Sequence, residues 1–285
     1  MGDESKELPS QVFELFHFRY LTLICSSNVP SAISNLVNLQ TLIILPTSGM
    51  LPNCNMIASF GMLPVYYTRK RHWREGRDHF SLPSEIWRMQ QLRHLVLYDL
   101  YMLPHPSDGS NPSLPLENLQ TLPYIKDLVW TEKILQMIPN VISLGLVYQM
   151  EKRYHLHLLK HLHQLEKLKL YGLYSFSWME HITVTFPRIL KKLTLVGGEF
   201  PWEDMSIIGS LPNLQVLKLR DQCFGKTWET ADGEFPELRY LLIEGSGLEC
   251  WITESSHFPR LKCLVLSCCQ DLREIPQDMG EIPLT

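Results

Sequence analysis

The sequence lacks the features of a membrane-spanning or secreted protein. No run of eighteen apolar residues is present, so no segment is long enough to cross a bilayer as a helix. The N-terminus, MGDESKELPS, is polar and acidic, whereas a secretory signal would be basic and then apolar. No Asn-X-Ser/Thr glycosylation sequon occurs either. We therefore expect a cytoplasmic protein that does not insert into membranes.

Common catalytic and cofactor-binding motifs are also absent. There is no Walker A loop, no Gly-x-Gly-x-x-Gly segment, no His-Glu-x-x-His and no Cys-x-x-Cys. The 7 cysteines lack the even spacing of a disulfide framework, which predicts free thiols. The formal net charge of -4 gives no overall attraction to nucleic acid. The sequence predicts no enzyme activity, no cofactor and no nucleic-acid partner.

The best candidate for a metal site is the histidine group in HLHLLKHLH, which starts at His155. His157 and His161 are four residues apart and could share one face of a helix. No cysteine or carboxylate stands at a matching spacing. We interpret these histidines as a solvated surface and predict no metal site.

One pattern, apolar-x-x-Leu-x-apolar, recurs along the whole chain. Its copies begin at Phe18, Leu39, Leu92, Leu119, Val141, Leu165, Leu190, Leu214, Leu238 and Leu261. From Leu119 onward, successive copies are separated by 22 to 25 residues. This is the period of leucine-rich repeats, in which each copy forms a turn followed by a short strand. Chance clustering of leucines would not maintain so constant an interval.

The repeat predicts both the fold class and the domain organisation. We expect an α/β leucine-rich-repeat solenoid, or horseshoe, with a parallel β-sheet on its concave face. Irregular loops, 3-10 turns or short helices should form the convex face. The prediction is a single domain over residues 1–285 with about ten repeats and an irregular insertion at 46–81. That insertion is either a degenerate repeat or a protruding loop. Neither end has a polar capping repeat, which predicts a segment of a larger protein.

Proline and small polar residues direct the chain between strands. Pro30 and Pro83 fix φ, and Ser31 or Ser84 could cap a short helical turn. Cys269 lies eight residues after Leu261, where leucine-rich repeats often place a residue that bonds the turn backbone. We therefore interpret Cys269 as structural, with redox chemistry at the adjacent cysteines as the alternative.

Strand positions that point away from the leucine core should line the concave face. Lysines gather there in three consecutive repeats, and Lys167 and Lys192 should be neighbours about 5 Å apart. Such a positive patch in an acidic chain favours an acidic partner, unless the lysines only keep an exposed sheet soluble. Tyrosines add interface-type side chains to the same face. The predicted protein-binding residues are Lys167, Lys169, Lys192, Lys218, Arg220, Tyr98, Tyr171 and Tyr240.

Four tryptophans fall in the loops that follow predicted strands. Such residues either anchor interfaces or pack over the end of the core, and the sequence favours neither alternative. They are Trp178, Trp202, Trp228 and Trp251.

The segments LPSEIWRMQQLRHL, LPNLQVLKLRDQCF, DGEFPELRYLLIEG and FPRLKCLVLSCCQDLREIPQDMGEIP together carry a family resemblance. The chain resembles the leucine-rich-repeat region of plant intracellular NB-LRR disease-resistance proteins. The likeness is greatest to the coiled-coil class related to late-blight resistance proteins. It implies a protein-recognition module of an innate immune receptor. The implied partners are a pathogen effector or guarded host protein and, within the receptor, an NB-ARC domain held inactive.

Two other functions for leucine-rich repeats fit less well. A substrate-recognition solenoid of an F-box ubiquitin ligase is the alternative, although no helical F-box precedes Leu15 and the proline-started repeats differ from that group. An extracellular receptor ectodomain is disfavoured by the missing signal, sequons and paired cysteine caps. The nucleotide-binding region that the resemblance implies has no counterpart here, so no residue is assigned to ATP or ADP.

Overall fold

The computed structural model describes residues 10–24, 28–45, 80–97, 101–106, 113–148, 154–172, 185–198, 200–220, 223–276 and 279. Nearly all of the predicted insertion at 46–81, as well as Tyr98 and Trp178, lies outside these residues. The chain divides into two compact units. The first comprises Met1–Leu128 with Glu132–Val141, and the second comprises Val129–Thr131 with Ile142–Thr285.

The first unit is built on parallel strands separated by short helical turns. Its strands are β1 (Tyr20–Ile24), β2 (Thr41–Leu45), β3 (Phe80–Ser81), β4 (His94–Leu97), β5 (Tyr101–Met102) and β6 (Thr121–Lys126). The strand order is β1-β2-β4-β6, and β5 pairs with both β3 and β6. Its helices are the 3-10 turns Ser10–Glu14, Ser31–Asn35 and Ser84–Arg88 and the α-helix α1 (Glu132–Met137).

The second unit is also built on parallel strands separated by short helical turns. Its main sheet, in the order β7-β8-β9-β11-β14-β16, is parallel throughout. These strands are β7 (Ser143–Tyr148), β8 (Lys167–Gly172), β9 (Lys192–Val196), β11 (Val216–Arg220), β14 (Tyr240–Glu244) and β16 (Cys263–Ser267). Two small parallel pairs flank it: β10 (Phe200–Pro201) with β12 (Cys223–Phe224), and β13 (Thr227–Glu229) with β15 (Cys250–Ile252).

Short helices occupy the returns between strands of the second unit. They are the 3-10 turns Leu156–His161, Trp202–Asp204 and Ser255–His257 and the α-helix α2 (Met205–Gly209). None of the helices among the described residues is long and apolar enough to cross a membrane.

Leucines at equivalent repeat positions stack from strand to strand, as the period predicts. Leu193, Leu217 and Leu241 are in direct register and fully buried, and Leu264 continues the row on the outermost strand. Because each leucine packs against its counterparts in adjacent repeats, the apolar area is buried only when repeats are stacked. The strands begin within two residues of the predicted positions in both units. The leucine-rich-repeat fold is therefore confirmed.

Backbone hydrogen bonds fix this register at the start of each strand. The carbonyl before a strand accepts two N–H groups from the next repeat; for example, the Glu166 oxygen accepts from Lys191 and Lys192, each at 2.9 Å. An asparagine side chain adds a second link between repeats. Its Nδ2 donates to a carbonyl of the preceding repeat at Asn38, Asn118, Asn140 and Asn213, over 2.8 to 2.9 Å. The repeat pattern did not predict this role of asparagine.

The prediction that serine caps the 3-10 turns is wrong. Pro30 and Pro83 occupy the N-cap positions and neither makes a side-chain cap bond. Ser31 and Ser84 are instead the first residues of their turns. The Ser84 hydroxyl donates to the neighbouring Glu85 carboxylate, at 3.1 Å. The extended φ and ψ of the prolines, and not a hydroxyl, therefore set the entry into these turns.

Three tryptophans form a stacked column in the second unit. The geometry of this column distinguishes between the two roles considered for them, core packing and interface contact. Trp228 lies between Trp202 and Trp251, with ring centroids 5.0 and 5.1 Å away and ring planes 22° and 3° apart. Phe235 and Phe258 meet Trp228 edge to face. All three indoles are buried. These tryptophans are thus a core of the returns between strands and not free contact residues.

Candidate protein-binding surface

The outward side of the second unit's main sheet carries most of the predicted site. In a strand, alternate side chains point to opposite faces, so those flanking the buried leucines point outward. Of the described outward positions on β8, β9, β11 and β14, five are cationic and one, Glu244, is anionic. We call the five cations the cationic face: Lys167, Lys169, Lys192, Lys218 and Arg220.

Strand register places four of these cations in a first and a second row, and Arg220 lies in a third row beside Val196. In the first row, Lys167 and Lys192 are direct neighbours on adjacent strands, as predicted, and both are exposed. In the second row, Thr194 separates Lys169 from Lys218. All three second-row side chains are partly exposed. Thr194 was not among the predicted site residues, although its outward position was readable from the repeat.

Burial and mutual repulsion disfavour the charge on the second row. Burial, followed by repulsion from Lys218, Arg220 and Lys167, lowers the pKa of Lys169 to about 8. Burial also lowers the pKa of Lys218, with Arg220 and then Lys192 contributing. An anionic partner would reverse the repulsive contribution, because opposite charge favours the protonated amine.

Two neighbours on β14 hold members of the cationic face in place. The Lys218 ammonium lies 5.4 Å from the centre of the Tyr240 ring, which is within cation–π range. Arg220 Nε is 3.0 Å from Glu244 Oε2, so an ion pair fixes this arginine against the next strand. Glu166, which directly precedes β8, pairs with Lys191 at 2.7 Å.

The tyrosine predictions have three different outcomes. Tyr240 lies beside Lys218, on the predicted face and partly exposed. Tyr171 occupies an outward position in the third row but is only 5% exposed, and its row neighbours Val147 and Val196 are buried as well. Its ring therefore offers almost no accessible contact surface. Tyr98 lies outside the described residues.

A second group of charged residues in the same unit contains an acid paired with two cations. Glu249 pairs with Lys226 at 2.6 Å and with Arg273 at 2.8 Å. The hydrogen bond to Glu249 raises the pKa of Lys226, and the same bond lowers the pKa of Glu249. These shifts run opposite to those of Lys169 and Lys218. The pKa shifts of Lys169 and Lys218 therefore differ in sign from that of Lys226.

The other candidate groups are placed as follows. The rings of His155 and His157 lie 5.8 Å apart and those of His161 and His163 6.5 Å apart, in edge-to-face contacts. Within the described ranges, no three His, Cys, Asp or Glu side chains are close enough together to hold a metal ion. Cys269 Sγ lies 3.5 Å from the carbonyl oxygens of Ile243 and Ser267, consistent with the structural role predicted for it.

Comparison with known proteins places the chain in a family. A family model described as a leucine-rich repeat region matches residues 3–283. The chain belongs to this leucine-rich-repeat family. It is 33% identical over 277 residues to a putative late blight resistance protein homolog of Solanum demissum. It is also 33% identical over 276 residues to late blight resistance protein R1-A of the same plant.

These relatives are much longer than the chain. The matches cover 94% of the chain but only 19% of each relative. Within that share, the chain is similar to the leucine-rich-repeat region of late-blight-type resistance proteins. Solved structures that the chain matches include the plant peptide hormone receptor RGFR1 in complex with RGF2. That match has a TM-score of 0.49 and 18% identity and covers 95% of the chain and 41% of the receptor. An internalin from Listeria monocytogenes matches with a TM-score of 0.40 and 13% identity, covering 95% of the chain and 90% of the internalin.

Proposed function

We propose that this chain is the protein-recognition module of a plant innate immune receptor. In this role it acts by binding and not by catalysis, in the cytoplasm. It senses a pathogen effector, directly or through a guarded host protein, and it restrains an adjacent nucleotide-binding domain. The family membership and the similarity to late-blight resistance proteins support this role.

The cationic face identifies the residues through which we propose that the chain binds its partner. Like charges held opposite each other on adjacent strands oppose folding, and a nearby opposite charge offsets that cost. Lys167 and Lys192 repel each other across adjacent strands, and an acidic protein surface would relieve that repulsion. A bound partner then shifts the receptor toward activity only by its difference in affinity for the resting and active forms.

A chimeric receptor tests this proposal. The chain would replace the matching segment of late blight resistance protein R1-A, and cell death would be measured in leaves with and without the effector. We expect charge reversal at Lys167, Lys192 and Lys218 to change resting activity or to abolish the effector response.

The matched control is Lys160→Glu. Lys160 is an exposed lysine on the 3-10 turn Leu156–His161 of the same unit, and its reversal changes the net charge at one position in the same way. We expect Lys160→Glu to behave like the unaltered chimera. Unchanged autoinhibition together with an unchanged effector response in the triple variant would remove the cationic face from the mechanism.

A further inference from the structure

The spacing of the cationic face specifies more than an attraction to acidic proteins. Neighbouring strands lie about 4.8 Å apart, so one carboxylate can contact both Lys167 and Lys192 in the first row. In the second row, Lys169 and Lys218 lie two strands apart, about 10 Å between backbones, with the Thr194 hydroxyl between them. The two long lysine side chains can converge on one anionic group above Thr194. The face therefore offers two anion positions, one in each row.

The distance between these two positions matches an extended peptide. The rows are separated by two residues along β9, from Lys192 to Thr194, or about 6.6 Å. In an extended peptide, side chains at positions i and i+2 lie on the same side and are separated by that same distance. Residues i and i+1 point to opposite sides and cannot fill both positions.

The sheet face also limits how far a partner can extend. On β7, β8 and β9 the third row is closed, because Val147, Tyr171 and Val196 are buried at their outward positions. On β11 and β14 the same row holds the partly exposed Arg220–Glu244 ion pair. Only two consecutive outward positions of β9 are therefore accessible. Toward β14, the cations give way to Tyr240 and the buried Leu242. A polyanion that needs a long track of cations finds only a short one here, whereas two carboxylates fill it.

We propose that the cationic face binds an extended protein segment bearing an acidic-x-acidic motif that runs along β9. One acidic side chain lies between Lys167 and Lys192, and the other lies above Thr194 between Lys169 and Lys218. Tyr240 is a positioning residue, since its ring lies beside the Lys218 ammonium. This inference rests on the proposed recognition function and names the chemistry of the recognised segment.

The lowered pKa values of Lys169 and Lys218 agree with this geometry. The cations that lower the pKa of Lys169 are Lys218 and Arg220 on β11 and Lys167 on its own strand. Glu244 on β14 pairs with Arg220. A carboxylate above Thr194 would raise the pKa of both second-row lysines, so its binding should strengthen as pH falls from 9 to 7.

The test uses the full chain and two fluorescent peptides of identical composition, in which Gly and Ser surround two aspartates. In one peptide a single residue separates the aspartates, and in the other the aspartates are adjacent. We expect the first peptide to bind about tenfold more tightly by fluorescence anisotropy, since only it fills both positions.

Variants of the chain test where the peptide binds. We expect Lys167→Glu with Lys192→Glu to remove this preference and Lys160→Glu to retain it. Circular dichroism verifies folding, and Lys167→Gln and Lys192→Gln replace any reversal that unfolds.

Three results would overturn the proposal. Equal affinity for the two peptides would refute the spacing, and binding that survives both reversals would refute the location. Tighter binding of a ten-nucleotide single-stranded DNA or of a matched phosphoserine peptide would assign the face to phosphate. The chimeric receptor separates this failure from failure of the proposed function. If neither peptide binds but the triple reversal still alters cell death, the recognition role stands and only the acidic motif is wrong.

Discussion

Lys169 is the residue of the cationic face whose protonated form is most disfavoured by folding. Its pKa is lowered to about 8, first by burial and then by Lys218, Arg220 and Lys167. The unfolded chain retains this proton up to its ordinary pKa of 10.5. Between these two values the unfolded state binds more protons than the folded state. The free energy of unfolding must therefore rise with pH across this window.

Substitution of Lys169 by methionine isolates this contribution. We expect the unaltered chain to gain about 2 kcal/mol of unfolding free energy between pH 7 and 9.5 from this group, and Lys169→Met to lack that gain. Urea denaturation at both pH values, followed by tryptophan fluorescence, measures the difference. Lys160→Met, at an exposed position, should retain the full pH dependence. The same pH dependence in Lys169→Met and the unaltered chain would show that Lys169 ionises normally.

Individual side chains of the sheet face show how far the sequence alone predicts a binding site. The repeat placed Lys167 beside Lys192 because strand register follows directly from the leucine ladder. It also placed Tyr171 on the outward face, but it could not predict that Tyr171 and its row neighbours Val147 and Val196 are buried. Burial there depends on what covers the sheet, which the alternation of a single strand does not encode. Local periodicity predicts the side of the sheet to which a side chain points, whereas the accessibility of that side chain depends on tertiary packing.

At the scale of elements, the strands and the short helical turns between them were predictable, whereas the contacts that join successive loops were not. Each main strand carries a leucine at its second position, so the repeat pattern alone located it. The pair β13 and β15 has only three residues per strand, too few for a recognisable alternation. The tryptophan column depends on this pair, because Trp228 and Trp251 are in register on the two strands. Stacking between repeats therefore could not be inferred from either loop by itself.

The tryptophan column should be a principal source of stability in the second unit. Trp228→Ala removes the central ring, and we expect it to lower the free energy of unfolding by about 3 to 5 kcal/mol. Trp228→Phe should cost less than half as much. The buried indole Nε1 of Trp228 has no hydrogen-bond partner in the described part of the chain, so a phenyl ring loses area but no polar contact.

Chemical denaturation with near-ultraviolet circular dichroism measures both tryptophan variants. The dichroism signal reports the stacked indoles directly, and the Phe variant serves as the matched control for ring size. An alanine variant as stable as the unaltered chain would show that the column is not needed for folding. Equal losses in the two variants would instead assign a role to the indole nitrogen.

At the scale of the whole molecule, net charge and local charge have opposite signs. The chain carries a formal net charge of -4, yet the second unit presents five cations on one sheet face with a single acid among them. Bulk charge therefore predicts the wrong sign for this surface, and the arrangement was readable only once the repeat had been aligned. Repulsion among these lysines acts against folding and is weakened by salt, because mobile ions screen exposed charges over about 10 Å at 0.1 M.

Lys192→Glu tests this electrostatic account, because it converts the Lys167–Lys192 repulsion into an attraction without altering the leucine core. At low ionic strength we expect it to raise the free energy of unfolding by about 0.5 to 1 kcal/mol. Raising NaCl to 0.5 M should stabilise the unaltered chain and Lys160→Glu but should remove the advantage of Lys192→Glu. Thermal unfolding midpoints across a salt series measure all three proteins. The opposite result would be a Lys192→Glu variant that is less stable than the unaltered chain, with salt stabilising both proteins equally. That result would show that an unrecognised contact outweighs the repulsion. Because the same substitution should weaken binding of an acidic segment, greater stability combined with lost binding would show that the face sacrifices stability for recognition.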